Sequence, residues 1–135
     1  MKILFIITSF NGMSQRAWVE LDRLDHKVKV HIASSPENME DAVSEYEPDL
    51  IIAPYLKSAI PENIWKKYTC FIVHPGIPGD RGSSSLDWAI LNNEREWGVT
   101  ILQATEKMDA GPVWATAAFL MRNVSKSFLY RHEVT

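Results

Sequence analysis

The segment CFIVHPGIPGDRG, residues 70–82, joins four apolar residues directly to a loop that opens on a histidine. Four apolar residues in a row are typical of a strand that is buried on both faces, and the glycines and prolines that follow end it. A second apolar run, residues 99–103, precedes the loop that contains Asp109. If both runs lie in one parallel sheet, both loops emerge at its carboxyl edge, where open α/β sheets bind ligands. We therefore expect His74 and Asp109 to share one crevice.

The rest of the chain alternates between strand-like and helix-like segments. Strand character is found at residues 2–7, 27–33, 49–53, 70–73, 99–103 and 112–119. Capping residues or helical spacing predict helices that begin at Ser14, Ser35, Pro61 and Ser83. Strands that alternate with helices on short connections imply crossovers between parallel strands. The predicted fold class is α/β, a Rossmann-like open, mainly parallel sheet with helices on both faces.

Size and composition exclude several classes of protein. The chain has 135 residues, which is one domain by the usual length. The formal net charge is −3 and there is no basic block, so we expect no nucleic acid partner. The apolar residues 3–7 are too few for a membrane span or a signal core, so no membrane partner is expected. Cys70 is the only cysteine, which excludes a disulfide framework and indicates a cytoplasmic protein.

His74 and Asp109 each have two interpretations. A lone histidine at a strand end can simply be tied to backbone groups, but an imidazole titrates near neutrality and can move a proton or stabilise negative charge. Asp109 beside Ala110-Gly111 can be an ordinary turn residue. It gains functional meaning as the partner of His74, because a carboxylate orients an imidazolium and favours it.

Two glycine-containing loops could bind an anion through backbone N–H groups. Residues 79–85 contain Arg81, which either helps to hold a carboxylate or phosphate or forms a salt bridge with Asp80. Residues 12–16 follow the first strand and could bind another anion, but the GxGxxG fingerprint of dinucleotide sites is absent. The histidines are scattered and no HExxH or CxxC motif is present, so we predict no metal.

An ordered set of motifs resembles a known family. The set consists of HPG at 74–76, RG at 81–82, WAI at 88–90, GVTI at 98–101 and MDAG at 108–111. These motifs resemble the amino-terminal domain of the formyl-tetrahydrofolate-dependent formyltransferases, which include the glycinamide ribonucleotide and methionyl-tRNA enzymes. The motif HPGxxGDRG, together with SLDWAI, is most similar to the hydrogenase-maturation members of that family.

The resemblance implies a role for individual residues and formyl-tetrahydrofolate as the co-substrate, without a metal. His74 and Asp109 match the catalytic histidine and aspartate of the family. The residues that would enclose the folate, largely through backbone groups, are Ala53, Pro54, Tyr55, Leu56, Thr105, Glu106 and Met108, with Gln15 and Arg81 as further binding candidates. The family usually has an asparagine two residues before the histidine, and this chain has Ile72 there. Gln15 or a backbone N–H is the expected substitute donor.

The resemblance also implies an organisation and an activity. We expect a formyltransferase-like domain at residues 1–123, followed at 124–135 by the start of a helix or linker that continues in a longer chain with a CoA-binding carboxyl-terminal domain. The expected activity is transfer or hydrolytic release of the formyl group, in the branch that supplies carbon monoxide to the [NiFe]-hydrogenase centre. The alternatives are a folate-binding or scaffolding domain without turnover, and a sugar-nucleotide formyltransferase. Purine and tRNA substrates are less favoured.

Overall fold

Six strands form a single sheet, and helices occupy the connections between the first five strands. The computed structural model describes all 135 residues. The strands are β1 (Lys2–Ile7), β2 (Lys27–Ile32), β3 (Leu50–Ala53), β4 (Cys70–His74), β5 (Glu96–Gln103) and β6 (Val113–Leu120). The helices are α1 (Gly12–Arg23), α2 (Pro36–Tyr46), α3 (Glu62–Trp65), α4 (Ser85–Leu91) and α5 (Lys126–Leu129), with a π-helical turn at Tyr130–Val134.

The strands lie in the order β2-β1-β3-β4-β5-β6. β1 to β4 are parallel to one another, whereas β5 is antiparallel to β4 and β6 is antiparallel to β5. The predicted mainly parallel α/β sheet is therefore confirmed, but the parallel direction assumed for residues 99–103 is wrong. The apolar pattern of a strand specifies burial and not direction, so sequence alone could not distinguish the two orientations.

β1 lies at the centre of two hydrophobic layers. Leu4 and Ile6 pack on one face of the sheet in a cluster with α2 residues, including Met39. Ile3 and Phe5 belong to a cluster on the opposite face that includes α1 residues such as Trp18. Because successive side chains of a strand point to opposite faces, this split shows that helices cover both faces of the sheet, as predicted.

The first two helices begin at identifiable caps. The Asn11 side chain accepts hydrogen bonds from the backbone N–H (3.0 Å) and the hydroxyl (2.9 Å) of Ser14. Asn11 is therefore the cap of α1, and Ser14, the predicted cap, is a buried residue of the first turn. Ser35 caps α2 as predicted, because its hydroxyl accepts the N–H of Asn38 at 3.1 Å.

The carboxyl-terminal residues pack onto the same body. Leu129 and Val134 are buried in a cluster that also contains Met13, Leu86 and Trp97. A short helix begins at Lys126 in this segment, with Ser125 as its cap. None of the helices combines the length and the apolar character that crossing a membrane requires.

Candidate active site

His74 is the last residue of β4 and is only 4% exposed. Its Nε2 lies 2.8 Å from a carboxylate oxygen of Asp80, and its Nδ1 lies 3.5 Å from a carboxylate oxygen of Asp109. The ring is thus held between two acidic side chains. Since β4 is a central strand paired on both sides, its backbone gives this histidine a fixed position.

Asp109 reaches the ring by a route that the sequence did not predict. β5 runs antiparallel to β4, so the loop 104–112 begins near the amino end of β4, where the N–H of Ala104 donates to the carbonyl of Cys70 at 2.8 Å. The loop must therefore extend back along β4 to reach its carboxyl end. At its tip Asp109 adopts a left-handed backbone with φ +51°, which aspartate tolerates better than most residues, and its carboxylate accepts the N–H of Gly82 at 3.0 Å. The expected meeting of His74 and Asp109 occurs, but not through two parallel strand ends.

Asp80 is a site residue that sequence analysis did not assign. Its carboxylate pairs with His74, in place of the Asp80–Arg81 salt bridge considered as an alternative. The backbone N–H of Asp80 donates to the carbonyl of Ile77 at 3.0 Å, which forms the turn that directs the side chain back to the ring. In the sequence, the feature that could have indicated this role is an acidic residue six positions after the histidine, in a loop rich in glycine.

Gly76 makes room for the pair formed by His74 and Asp80. A Cβ at this position would lie 2.5 Å from Nε2 of His74 and 2.5 Å from the carboxylate of Asp80. The carbonyl of Gly76 is fixed by the hydroxyl of Thr100, which donates to it at 2.8 Å. The glycine of the HPG segment is therefore required by packing against the imidazole, since any side chain would displace it.

A cavity of about 570 Å³ opens beside His74 and Asp109. Its walls are apolar at Leu56, Ile72 and Leu102, and the loop 104–109 supplies a polar wall. The predicted folate-contacting residues that line it are Tyr55, Leu56, Thr105, Glu106 and Met108.

Four of the predicted binding residues do not line this cavity. Ala53 and Pro54 are fully buried, so their side chains belong to the core behind it. The Gln15 side-chain amide donates to the carbonyl of Phe10 at 2.8 Å, and Arg81 is exposed. Neither is placed beside His74 in this structure, and their proposed role in binding stays a prediction.

Charges around the cavity are mixed. Lys57, Lys107 and Lys126 line it together with Glu106 and Asp109. Burial raises the pKa of the Tyr130 phenol, at the same wall, to about 12, so this side chain is neutral and can donate a hydrogen bond. Burial likewise raises the pKa of the Cys70 thiol to about 12, which disfavours the thiolate form that a nucleophile needs. No group of three or more potential ligand side chains is arranged to hold a metal ion.

The position two residues before His74 also faces the cavity. Ile72 lies on the same face of β4 as His74, because side chains alternate along a strand, and it contributes to the cavity wall. An apolar side chain therefore stands where the resemblance places an amide. Any hydrogen bond to a reacting carbonyl must come from another group in this wall.

Comparison with known proteins identifies the class. The model of the formyl transferase family matches residues 1–127, so the chain belongs to this family. It is 47% identical over its full length to the hydrogenase maturation factor HoxX of Bradyrhizobium diazoefficiens, of which it covers 24%. It is also similar to HypX from Aquifex aeolicus, crystallised in complex with tetrahydrofolic acid: the identity is 51%, the TM-score is 0.97, and the match covers 98% of this chain and 24% of that one.

More distant relatives share the fold. The chain is 31% identical over 121 residues to the bifunctional polymyxin resistance protein ArnA of Wigglesworthia glossinidia brevipalpis, covering 83% of this chain and 18% of that protein. The methionyl-tRNA formyltransferase from Clostridium thermocellum superposes with a TM-score of 0.79 at 18% identity, covering 97% of this chain and 58% of that one. The chain spans about a quarter of the length of HoxX and HypX. The predicted resemblance to the hydrogenase-maturation members of the family is confirmed.

Proposed function

We propose that this domain binds formyl-tetrahydrofolate in the cavity beside His74 and catalyses transfer or hydrolytic release of the formyl group. The observation that carries the proposal is a buried imidazole held between two carboxylates, at the wall of a cavity with apolar and polar sides. The similarity to a HypX that was crystallised with tetrahydrofolic acid supports folate as the ligand.

The cavity suits this co-substrate in size and chemistry. Its volume of about 570 Å³ lies within the range of small-molecule sites, roughly 300–1,000 Å³. The apolar side chains of Leu56, Ile72 and Leu102 can pack on a planar ring, and the backbone of residues 104–109 can hydrogen-bond to its polar edge. Lys57 and Lys126, also in the wall, can pair with the carboxylates of the glutamate portion.

His74 and Asp109 are the proposed catalytic residues. Bound formyl-tetrahydrofolate supplies an activated carbonyl group, whose oxygen gains negative charge when a nucleophile attacks its carbon. His74 in its protonated form stabilises that charge by donating a hydrogen bond from the nitrogen that faces the cavity, and Asp109 favours this imidazolium and orients it. Because the ring is buried and fixed before the reaction, it needs little reorganisation to act.

The test measures binding and turnover separately. Calorimetry follows binding of tetrahydrofolate, and absorbance together with a formate assay follows release of the formyl group. His74→Gln should bind with nearly unchanged affinity and lose about 10²–10⁴-fold in turnover, the usual contribution of an acid–base group. Turnover equal to that of the unmodified protein would reject the assignment, whereas binding without release in the unmodified protein would support a binding or scaffolding domain.

The similarity to HoxX and HypX also supports a finer proposal. We infer that the domain acts in the one-carbon branch of [NiFe]-hydrogenase maturation in the cytoplasm, with a CoA-binding carboxyl-terminal domain as partner. In this proposal residues 1–123 form the formyltransferase-like unit and residues 124–135 lead towards that partner. Co-purification of the longer protein with bound CoA tests the partner, and loss of hydrogenase carbon monoxide ligand in a His74→Gln strain tests the branch.

One further observation favours a sugar-nucleotide acceptor as the alternative. A second cavity of about 450 Å³ is lined by the loop after β1, including Asn11 and Gly12, together with Lys126 and Arg131. Two cationic side chains and free backbone N–H groups at such a loop suit a phosphate-bearing molecule. If tetrahydrofolate appears only when a sugar amine is added, and the formyl group is found on that amine with no formate released, this alternative replaces the hydrogenase proposal.

A further inference from the structure

Two side chains contact Nε2 of His74, and Asp80 makes the shorter contact. Its carboxylate lies 2.8 Å from Nε2, whereas the hydroxyl of Ser85 lies 3.4 Å away and donates to the carbonyl of Gly82 at 3.2 Å. Gly76 contributes no side chain on this side. An ionised carboxylate has no hydrogen to donate and can only accept. The hydrogen in this contact is therefore on Nε2.

The other nitrogen lies on the side of the cavity. Nδ1 is 3.5 Å from the carboxylate of Asp109, which lines the cavity. On the Nε2 side Ser85 also lines the cavity, but its hydroxyl donates to the carbonyl of Gly82, and the nearest partner, Asp80, does not line it. Asp80 can therefore act on the reaction only through the ring. Asp80 lies in a turn between Gly79 and Gly82, which both have φ near +90°. Residues other than glycine rarely adopt this backbone conformation.

We propose that Asp80 is a positioning residue for formyl transfer: its carboxylate accepts the Nε2–H of His74 and so leaves Nδ1 as the nitrogen that meets the formyl group. This inference rests on the function proposed above. Nε2 keeps its hydrogen in the neutral and in the protonated ring, and Nδ1 is the atom that gains or gives a proton. The two carboxylates then have different tasks, since Asp80 fixes the tautomer and Asp109 faces the reacting group.

The tautomer can be read directly in the 135-residue protein. Nitrogen-15 spectra of histidine-labelled protein distinguish a protonated from an unprotonated ring nitrogen, and loss of signals in His74→Gln assigns them to this residue. We expect Nε2 to be protonated whether or not Nδ1 is. A neutral His74 with its hydrogen on Nδ1 would overturn the proposal, whatever the activity of any variant.

Variants of Asp80 separate positioning from folding. Asp80→Ala should let both tautomers form and lower kcat for formyl release about ten- to a hundredfold, the range expected for a hydrogen bond with a charged partner. The Kd for tetrahydrofolate should change less than twofold, because Asp80 lies outside the cavity. Asp80→Asn keeps an accepting oxygen and should restore the tautomer and most of kcat. Asp41→Asn, an exposed position on α2, is the matched control and should change nothing.

The outcomes distinguish this inference from the proposed function. If His74→Gln abolishes formyl release while Asp80→Ala leaves both tautomer and kcat unchanged, the role of Asp80 is wrong and the function stands. If the tautomer responds to Asp80→Ala but His74→Gln retains full turnover, the contact is as described and the proposed function is wrong.

Discussion

Gly76→Ala should disable the site while leaving most of the fold intact. The new Cβ would lie 2.5 Å from both Nε2 of His74 and the carboxylate of Asp80, and Cβ contacts below 3.0 Å are essentially never observed. Both contacts must therefore lengthen by about 0.5 Å. The Asp80 side chain is 25% exposed and sits on a turn, whereas that of His74 is 4% exposed in a central strand, so the carboxylate moves more readily than the imidazole, which is displaced as well.

The magnitude follows from the lost contact. Moving the carboxylate by this amount stretches a 2.8 Å hydrogen bond beyond the usual range, which ends at about 3.2 Å. A hydrogen bond to a charged group contributes roughly 1.5–3 kcal/mol, so turnover should fall about ten- to a hundredfold if the bond acts fully on the reaction. The Gly76→Ala substitution also overpacks the site, and we expect it to lower the free energy of unfolding by about 1–3 kcal/mol.

Formyl release and urea unfolding are measured on the same preparations. Gly12→Ala is the matched control, since a Cβ there meets nothing within 4 Å and the residue opens α1, where alanine is a good helix former. It should keep its turnover and its stability or gain slightly. Full turnover in a folded Gly76→Ala protein would refute the claim that the geometry around Nε2 matters for the reaction.

Three other expectations follow from the structure. Asp109→Asn retains an oxygen that can accept the N–H of Gly82 but removes the negative charge beside Nδ1, so formyl release should fall about tenfold or more with an unchanged melting temperature; unaltered kcat would contradict its role. Gly111→Ala should lower the free energy of unfolding by about 1–3 kcal/mol, because its Cβ would lie 1.8 Å from the backbone carbonyl oxygen of Gln103, and a urea midpoint equal to that of the unmodified protein would contradict this. Cys70 should react with a thiol reagent at pH 8 only after unfolding, because burial excludes the reagent and raises the pKa of its thiol to about 12; rapid labelling of the folded protein would contradict the burial.

The parallel half of the sheet was predictable because the burial of its strands and the helices that connect them can both be read from local sequence. Lys2–Ile7 has an unbroken apolar run, and it lies in the centre with packed layers on both faces. Lys27–Ile32, in which apolar and polar residues alternate, lies at an edge of the sheet. Each of these strands is followed by a helix that returns the chain to the same end of the sheet, so the parallel arrangement follows.

The antiparallel half was not predictable from the same signals. β5 has the apolar character of a parallel core strand, and β6 is exposed along almost its whole length, yet they pair as a hairpin through loop 104–112. Strand direction depends on how the connection after β4 packs, which is a tertiary property. The error changed the predicted path of Asp109, although not its final contact with His74.

The sequence predicted that His74 and Asp109 meet, but it left the surroundings of this pair incomplete. His74 and Asp109 belong to the motifs HPG and MDAG, so they could be selected from the sequence. The contact of Asp80 with the imidazole depends on the turn that brings the two side chains together, so it could not. Ala53 and Pro54 were assigned to the folate site as part of a segment, and their burial could not be read from composition. Residue type indicates possible chemistry, but packing decides which side chain reaches the cavity.

The most direct test is a crystal structure of the protein with a formyl-folate analogue that cannot transfer its formyl group. We expect the pterin between Leu56 and the loop 104–109, and the formyl oxygen about 2.7–3.2 Å from Nδ1 of His74. A ligand bound in this cavity with its formyl group far from the imidazole, or bound elsewhere on the molecule, would contradict it.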